Sequence, residues 1–309
     1  MGKIAILFAG QGSQSIGMGK DFYINYFTAK DIYEKASQKL GYDLREICFT
    51  ENDFLNQTEY TQPAVLVTSL AIYETLINET NIKADVFCGF SLGEYSALYA
   101  ANIFNFDDII YLISKRAKFM EECSKKNPGK MIALIGLDKD VLEEICQDVS
   151  KVEGLVSIAN YNSPSQFVVG GLTKAVEKVR DIAKTKGAKK VVELKVSGGF
   201  HTPLMKEAAE KIYNEVKNIS INKPSVPVVM NATGKYLQID KLPELMKKQI
   251  ESSVYFTDSV MNMINDGVET FIEIGPGKVL SGLVKKIDRS KNVISINDIS
   301  DLERVKTWI

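Results

Sequence analysis

Two side chains in this sequence stand where they could make and break an acyl bond. Ser91 is the centre of Gly89-Phe90-Ser91-Leu92-Gly93, a G-x-S-x-G run with an apolar stretch before it and an Ala/Leu/Tyr-rich stretch after it. In that context a sharp strand-to-helix turn lifts the serine hydroxyl clear of a sheet. Glycines flank it because a Cβ would clash where the two backbones cross. The serine also lies at a helix N-terminus, whose free N–H groups stabilise an oxyanion. A plain tight turn uses the same residue types, so the pentapeptide counts only together with its strand and helix. A serine hydroxyl is a poor nucleophile at neutral pH and requires a base. The chain has 1 histidine. It is His201, in the Gly-rich run Ser197-Gly198-Gly199-Phe200-His201-Thr202-Pro203. An ordinary pKa of about 6.5 leaves an imidazole mostly neutral at pH 7, as a general base must be. A lone histidine rules out a His-rich metal site.

A second glycine-rich turn, Gly10-Gln11-Gly12-Ser13-Gln14, follows the first apolar run. A dinucleotide-binding fingerprint needs Gly or Ala three positions after Gly12. That position is Ser15, and no acidic residue closes a second strand at the expected distance. A nicotinamide site is therefore rejected. The loop reads either as a close backbone approach that donates an N–H to a reacting carbonyl or as an ordinary turn before a helix.

Positioning these groups takes an α/β scaffold. Lys3 to Ala9 is a short apolar run closed by glycine, and Asp85 to Gly89 is another; both read as buried strands. Helices are expected over Ala64 to Ile77 and from about Leu92. Thr270 to Ile274 reads as a strand, followed by the turn Gly275-Pro276-Gly277 and a helix from Val279. The middle of the chain differs. Met131 to Ile135, Leu155 to Ala159, Gln166 to Val169 and Lys190 to Val196 read as strands, interleaved with helices carrying Val141, Leu142, Ile145 and Val149, and then Ala175 to Ala183. That βαββαβ order is the split arrangement of ferredoxin-like domains. The expected architecture is an α/β-hydrolase-like large domain, residues 1–127 and 198–309, with a ferredoxin-like small domain inserted at 128–197.

Composition narrows the classes. With 309 residues, 45% hydrophobic and 25% charged, the chain matches an ordinary globular protein. Its 38 basic and 39 acidic residues nearly cancel, which speaks against a dedicated nucleic-acid binder. No apolar stretch reaches the roughly 18 residues of a membrane span, and no signal peptide is evident. Cys48, Cys88, Cys123 and Cys146 form no C-x-x-C pair and read as reduced thiols of a cytoplasmic protein.

Taken in order, Gly10-Gln-Gly-Ser-Gln14, Gly89-Phe-Ser-Leu-Gly-Glu94, Phe200-His201 and Glu273-Ile-Gly-Pro-Gly-Lys278 resemble the malonyl-CoA:acyl carrier protein transacylases, essentially end to end. The resemblance implies a ping-pong acyltransferase that serves fatty acid synthesis, with malonyl-CoA and acyl carrier protein as its partners. No cofactor is implied: the CoA thioester is a substrate and phosphopantetheine is carried by the partner. Ser91 becomes the nucleophile and His201 the base. Oxyanion donors map to the backbone N–H of Gln11 and Leu92, and the carbonyl orienting the histidine maps to Gln249. Arg116 maps to the ligand of the malonyl carboxylate, a role suited to a guanidinium fork. Its neighbours Lys115 and Lys118 read as solvated charges. Phe200 looks like the malonyl-selecting form of its motif. Many members have His before the nucleophile where this chain has Phe90, a position read as structural. Carrier proteins of this kind are acidic, so a basic docking surface is expected at Lys189 and Lys190, with Lys286. Nothing demands a dimer, and a monomer is expected. Two other readings use the same serine and histidine: a hydrolase, which would have no need of Arg116, and a catalytically silent carrier-docking module.

Overall fold

The structure, a computed structural model, describes residues 2–307. Among the described residues, ten strands form two sheets. The larger takes β1 (Lys3–Phe8), β2 (Val86–Gly89), β7 (Val228–Met230), β8 (Lys235–Tyr236), β9 (Val268–Ile274) and β10 (Asn292–Ile296), in the order β10-β9-β1-β2-β7-β8. Its strands run parallel except for β8. Helices cover both faces, which is why the central strands are apolar throughout rather than alternating: β1 is buried from Ala5 to Phe8, β2 along its whole length.

The smaller sheet takes β3 (Gly129–Ile135), β4 (Val156–Ser163), β5 (Gln166–Leu172) and β6 (Lys190–Glu193), antiparallel throughout, in the order β4-β5-β3-β6. Helices Lys139–Glu153 and Thr173–Thr185 lie on one face only. There Leu142, Val149, Val176 and Val179 meet Ile132, Leu134, Phe167 and Val169. The alternate residues, Met131, Ala133 and Val168, point to the other face and border a cavity shared with the larger sheet. Strand β4 is tied across by a bridge between Asn160 and Val254, and Tyr161 stacks on Tyr255 at 5.0 Å.

The strand expectations are met within a few residues. The helix expected from Ala64 begins at Thr58 and runs to Glu79. Pro63, which suggests a helix start, sits in its second turn. The last strand of the small sheet ends at Glu193 instead of Val196; Leu194 and Val196 turn toward the shared cavity instead.

Candidate active site

The polar groups gather at the carboxyl ends of the parallel strands. Gln11 follows β1, Ser91 follows β2 and Asn231 follows β7. In open parallel sheets this edge is where ligands bind. Ser91 occupies the turn between β2 and helix Gly93–Ala100 with φ 54°, a left-handed conformation rare for a residue with a side chain. The sequence permits the turn because both flanks lack a Cβ. One added at Gly89 would meet the Gly93 backbone, and one at Gly93 would lie 2.7 Å from the Ala9 carbonyl oxygen. Gly10 is constrained likewise by the Phe90 carbonyl, which brings the Gln11 loop against the elbow. The Phe90 ring packs edge-on to Phe256 at 5.4 Å, the structural use expected of it.

His201 has φ 58° and is 5% exposed. Its Nε2 lies 2.7 Å from Ser91 Oγ and its Nδ1 2.7 Å from the Gln249 carbonyl oxygen. A carbonyl only accepts, so Nδ1 carries the proton and Nε2 is free to accept from the serine hydroxyl. Burial pushes the imidazole down to about 3, with the Arg116 charge adding and the Gln249 hydrogen bond opposing. His201 is therefore neutral, as a general base must be.

Arg116, from helix Phe106–Lys126, is fully buried. Its Nη1 donates to Gln62 Oε1 at 2.7 Å, while Nη2 donates to Ser91 Oγ at 3.0 Å and to Gln249 Oε1 at 3.1 Å. The Tyr95 ring lies under the guanidinium at 5.4 Å. Burial lowers its pKa, and no carboxylate among the described residues pairs with it, only neutral oxygens. A buried cation served by amides, with one nitrogen on Ser91, has the chemistry to receive an anion. Lys118 is exposed as expected; Lys115 is half-buried, with its ammonium 5.1 Å from the Tyr111 ring.

The cavity at Ser91 measures about 220 Å³ and lies between the sheets. Gln11, Phe90 and Leu283 line it from one side, Met131, Val168 and Leu194 from the other. Phe200, 5% exposed, forms part of the wall. The N–H groups of Gln11 and Leu92 find no backbone acceptor among the described residues, so both are free to donate. Of the three lysines, Lys286 reaches the cavity wall by donating to Gln166 Oε1 at 2.7 Å. Lys189 and Lys190 are exposed on the run into β6. Sequence reasoning missed Gln62, Asn231 and the side chain of Gln249. Gln62 sits in a helix that also carries Thr, Ser, Glu and Asn, so its amide gave no signal of its own.

A strained serine and a histidine oriented by a carbonyl, both lining one cavity, with a buried arginine hydrogen-bonded to the serine, describe acyl transfer rather than hydride or phosphoryl chemistry. Comparison with known proteins agrees: residues 6–308 match the acyl transferase domain, and the chain belongs to that family. Within it, the chain is 42% identical over 305 residues to the malonyl CoA-acyl carrier protein transacylase of Bacillus subtilis, covering 98% of this chain and 96% of that one. Its structure matches that of MCAT from Streptococcus pneumoniae with TM-score 0.95 and 43% identity, over 99% of this chain and 100% of the other. A malonyl-transacylase solved in complex with its type II PKS acyl-carrier protein matches with TM-score 0.96 at 35% identity, over 99% and 100%.

Proposed function

We propose that this chain transfers the malonyl group from malonyl-CoA to the phosphopantetheine thiol of acyl carrier protein, through an ester on Ser91, and so feeds fatty acid synthesis. The observation that carries the reading is Arg116, a buried guanidinium with no carboxylate paired to it among the described residues, hydrogen-bonded to the nucleophile itself. A hydrolase of neutral esters has no use for it, and a silent docking module has no use for the serine–histidine pair.

The reaction runs in two mirrored halves. His201 Nε2 takes the proton of Ser91 as Oγ attacks the thioester carbonyl, and the developing oxyanion is met by the N–H groups of Gln11 and Leu92. Collapse expels the CoA sulfur, which takes the proton back from His201. The carrier thiol then gives its proton to Nε2 and attacks the seryl ester, and Ser91 leaves with that proton. Throughout, Arg116 holds the malonyl carboxylate, and the Gln249 carbonyl keeps the imidazole in the tautomer that can accept.

The scaffold supports the same reading. A parallel sheet with a serine elbow fits an α/β-hydrolase-like large domain. The strand order β4-β5-β3-β6 with both helices on one face fits a ferredoxin-like insertion over 128–197. The enzyme is read as a monomer that docks its carrier over Lys189, Lys190 and Lys286.

The deciding experiment mixes the protein with malonyl-CoA and weighs it. Wild type gains a malonyl mass and Ser91→Ala gains none. Initial rates with both substrates give parallel double-reciprocal lines. A labelled alanine variant, or intersecting lines, defeats the mechanism.

A further inference from the structure

Glu94 closes the motif Gly89-Phe-Ser-Leu-Gly-Glu94, yet the chemistry above gives it nothing to do. It is wholly buried in the first turn of helix Gly93–Ala100, pushed up to about 8 by that burial. Its Oε2 accepts the backbone N–H of Asn231 at 2.6 Å. Asn231, also wholly buried, straddles the elbow. Its Oδ1 accepts the Ser91 N–H at 2.6 Å and its Nδ2 donates to the Gly89 carbonyl at 2.7 Å. The amide fits only one way round, because a flip would set donor against donor and acceptor against acceptor. From the other side Gln249 Nε2 donates to the Ser91 carbonyl. Both peptide groups of a residue held at φ 54° are thus clamped by side chains from distant segments.

We propose that Glu94 and Asn231 form a strap that holds Ser91 in its left-handed conformation and takes up the Ser91 N–H, so that the N–H of Leu92 is left to face the oxyanion. Both are positioning residues, acting through Ser91 and touching no substrate. The choice of N–H is the heart of the matter. Phe90 N donates to Phe8 O and Gly93 N to Phe90 O, and Asn231 absorbs Ser91 N. Of the N–H groups from Phe90 to Gly93, only that of Leu92 is left without a hydrogen-bond acceptor among the described residues. Relaxing Ser91 out of φ > 0 would swing Oγ from His201 and rotate the Leu92 peptide together.

The inference builds on the transacylase reading, so its test includes a probe independent of that reading. A fluorophosphonate labels an activated serine without needing CoA or a carboxylate. Asn231→Ala removes the strap. Asn231→Asp keeps its size and the acceptor for Ser91 N–H but sets an oxygen against Gly89 O. Glu94→Gln keeps an acceptor for Asn231 N–H. Misplacing a reacting atom by about 1 Å costs on the order of 100-fold. Both Asn231 variants should therefore lose about 100-fold in labelling rate and in kcat for malonyl transfer, with KM for malonyl-CoA within about twofold. Glu94→Gln should stay within about threefold of wild type. A folded Asn231 variant less than about tenfold impaired overturns the strap, as does a loss confined to KM. So does a Glu94→Gln loss equal to that of Asn231→Ala. If neither Asn231 variant folds, the residue is structural and the positioning role fails. Wild type that takes the fluorophosphonate but no malonyl would sink the transacylase reading and leave the strap standing.

Discussion

On the proposed reading, Arg116 separates substrate choice from general competence. Truncating one member of a buried charged pair costs about 2–5 kcal/mol, much of it from the partner left bare. Arg116→Ala should therefore lose roughly one and a half to four decades of kcat/KM for malonyl-CoA, at tenfold per 1.4 kcal/mol. Acetyl-CoA has no carboxylate to strand, so its transfer should hold or improve and the malonyl preference should collapse. Equal losses for both thioesters would make Arg116 structural. His201 gives a second expectation. A base of ordinary pKa, about 6.5, would be roughly 97% protonated at pH 5 and the rate would fall about thirtyfold. Burial and the Arg116 charge put this one at about 3 instead. Protonation then begins to matter only near that value, so kcat/KM should stay level from pH 8 down to about pH 5. An acid limb near 6.5 would show that the imidazole is more solvated than the structure has it. His201 could be read from sequence because it is the chain's one imidazole, and Ser91 because glycines flank it between an apolar run and a helix. Gln62 and Asn231 could not: a buried amide becomes visible only once its partners are known, and theirs are 54 and 140 residues away.

At the level of elements, the site depends on how closely β1, β2 and helix Gly93–Ala100 approach one another. A Cβ on Gly93 would fall 2.7 Å from Ala9 O and 2.8 Å from Phe8 C, both main-chain atoms at the buried end of β1 that cannot swing aside. Gly93→Ala should therefore destabilise by about 3 kcal/mol or more, through overpacking of a site with no room to relax. A urea midpoint unchanged within error would mean that the helix can lift without loss. These elements were legible: glycine after an apolar run marks a strand end, and both β1 and β2 lie where that rule puts them. The helix ending at Glu79 was less so. Proline lacks an N–H and usually opens a helix, but here Thr58 through Gln62 precede Pro63 in helical conformation. That extra turn is what carries Gln62 to Arg116.

Across the whole molecule, the open face of the smaller sheet and the carboxyl edge of the larger one enclose the reaction cavity. The register Lys190↔Ile135 and Ile135↔Gln166, with Lys286 bound to Gln166, places Lys190 and Lys286 at one end of that cleft. About a hundred residues of sequence separate them, and strand order, which a single sequence does not disclose, brings them together. An acidic carrier delivering its thiol here would meet both. Reversing charge at Lys189 and Lys190 should raise KM for the carrier protein and leave KM for malonyl-CoA alone, with salt weakening the wild-type interaction in the same way. A parallel rise in both constants would remove the patch from the docking surface.

The acceptor that fixes His201 is a main-chain carbonyl, and this has a consequence for inheritance. A triad aspartate can be erased by one nucleotide change; the oxygen of residue 249 is specified by no codon and survives any substitution there. What a mutation at 249 can remove is the amide that clasps Ser91 and Arg116. On the proposed reading, variation at this position would thus keep the carbonyl that orients His201 while loosening Ser91 and Arg116 together, so nucleophile and substrate choice would weaken with the base still in place.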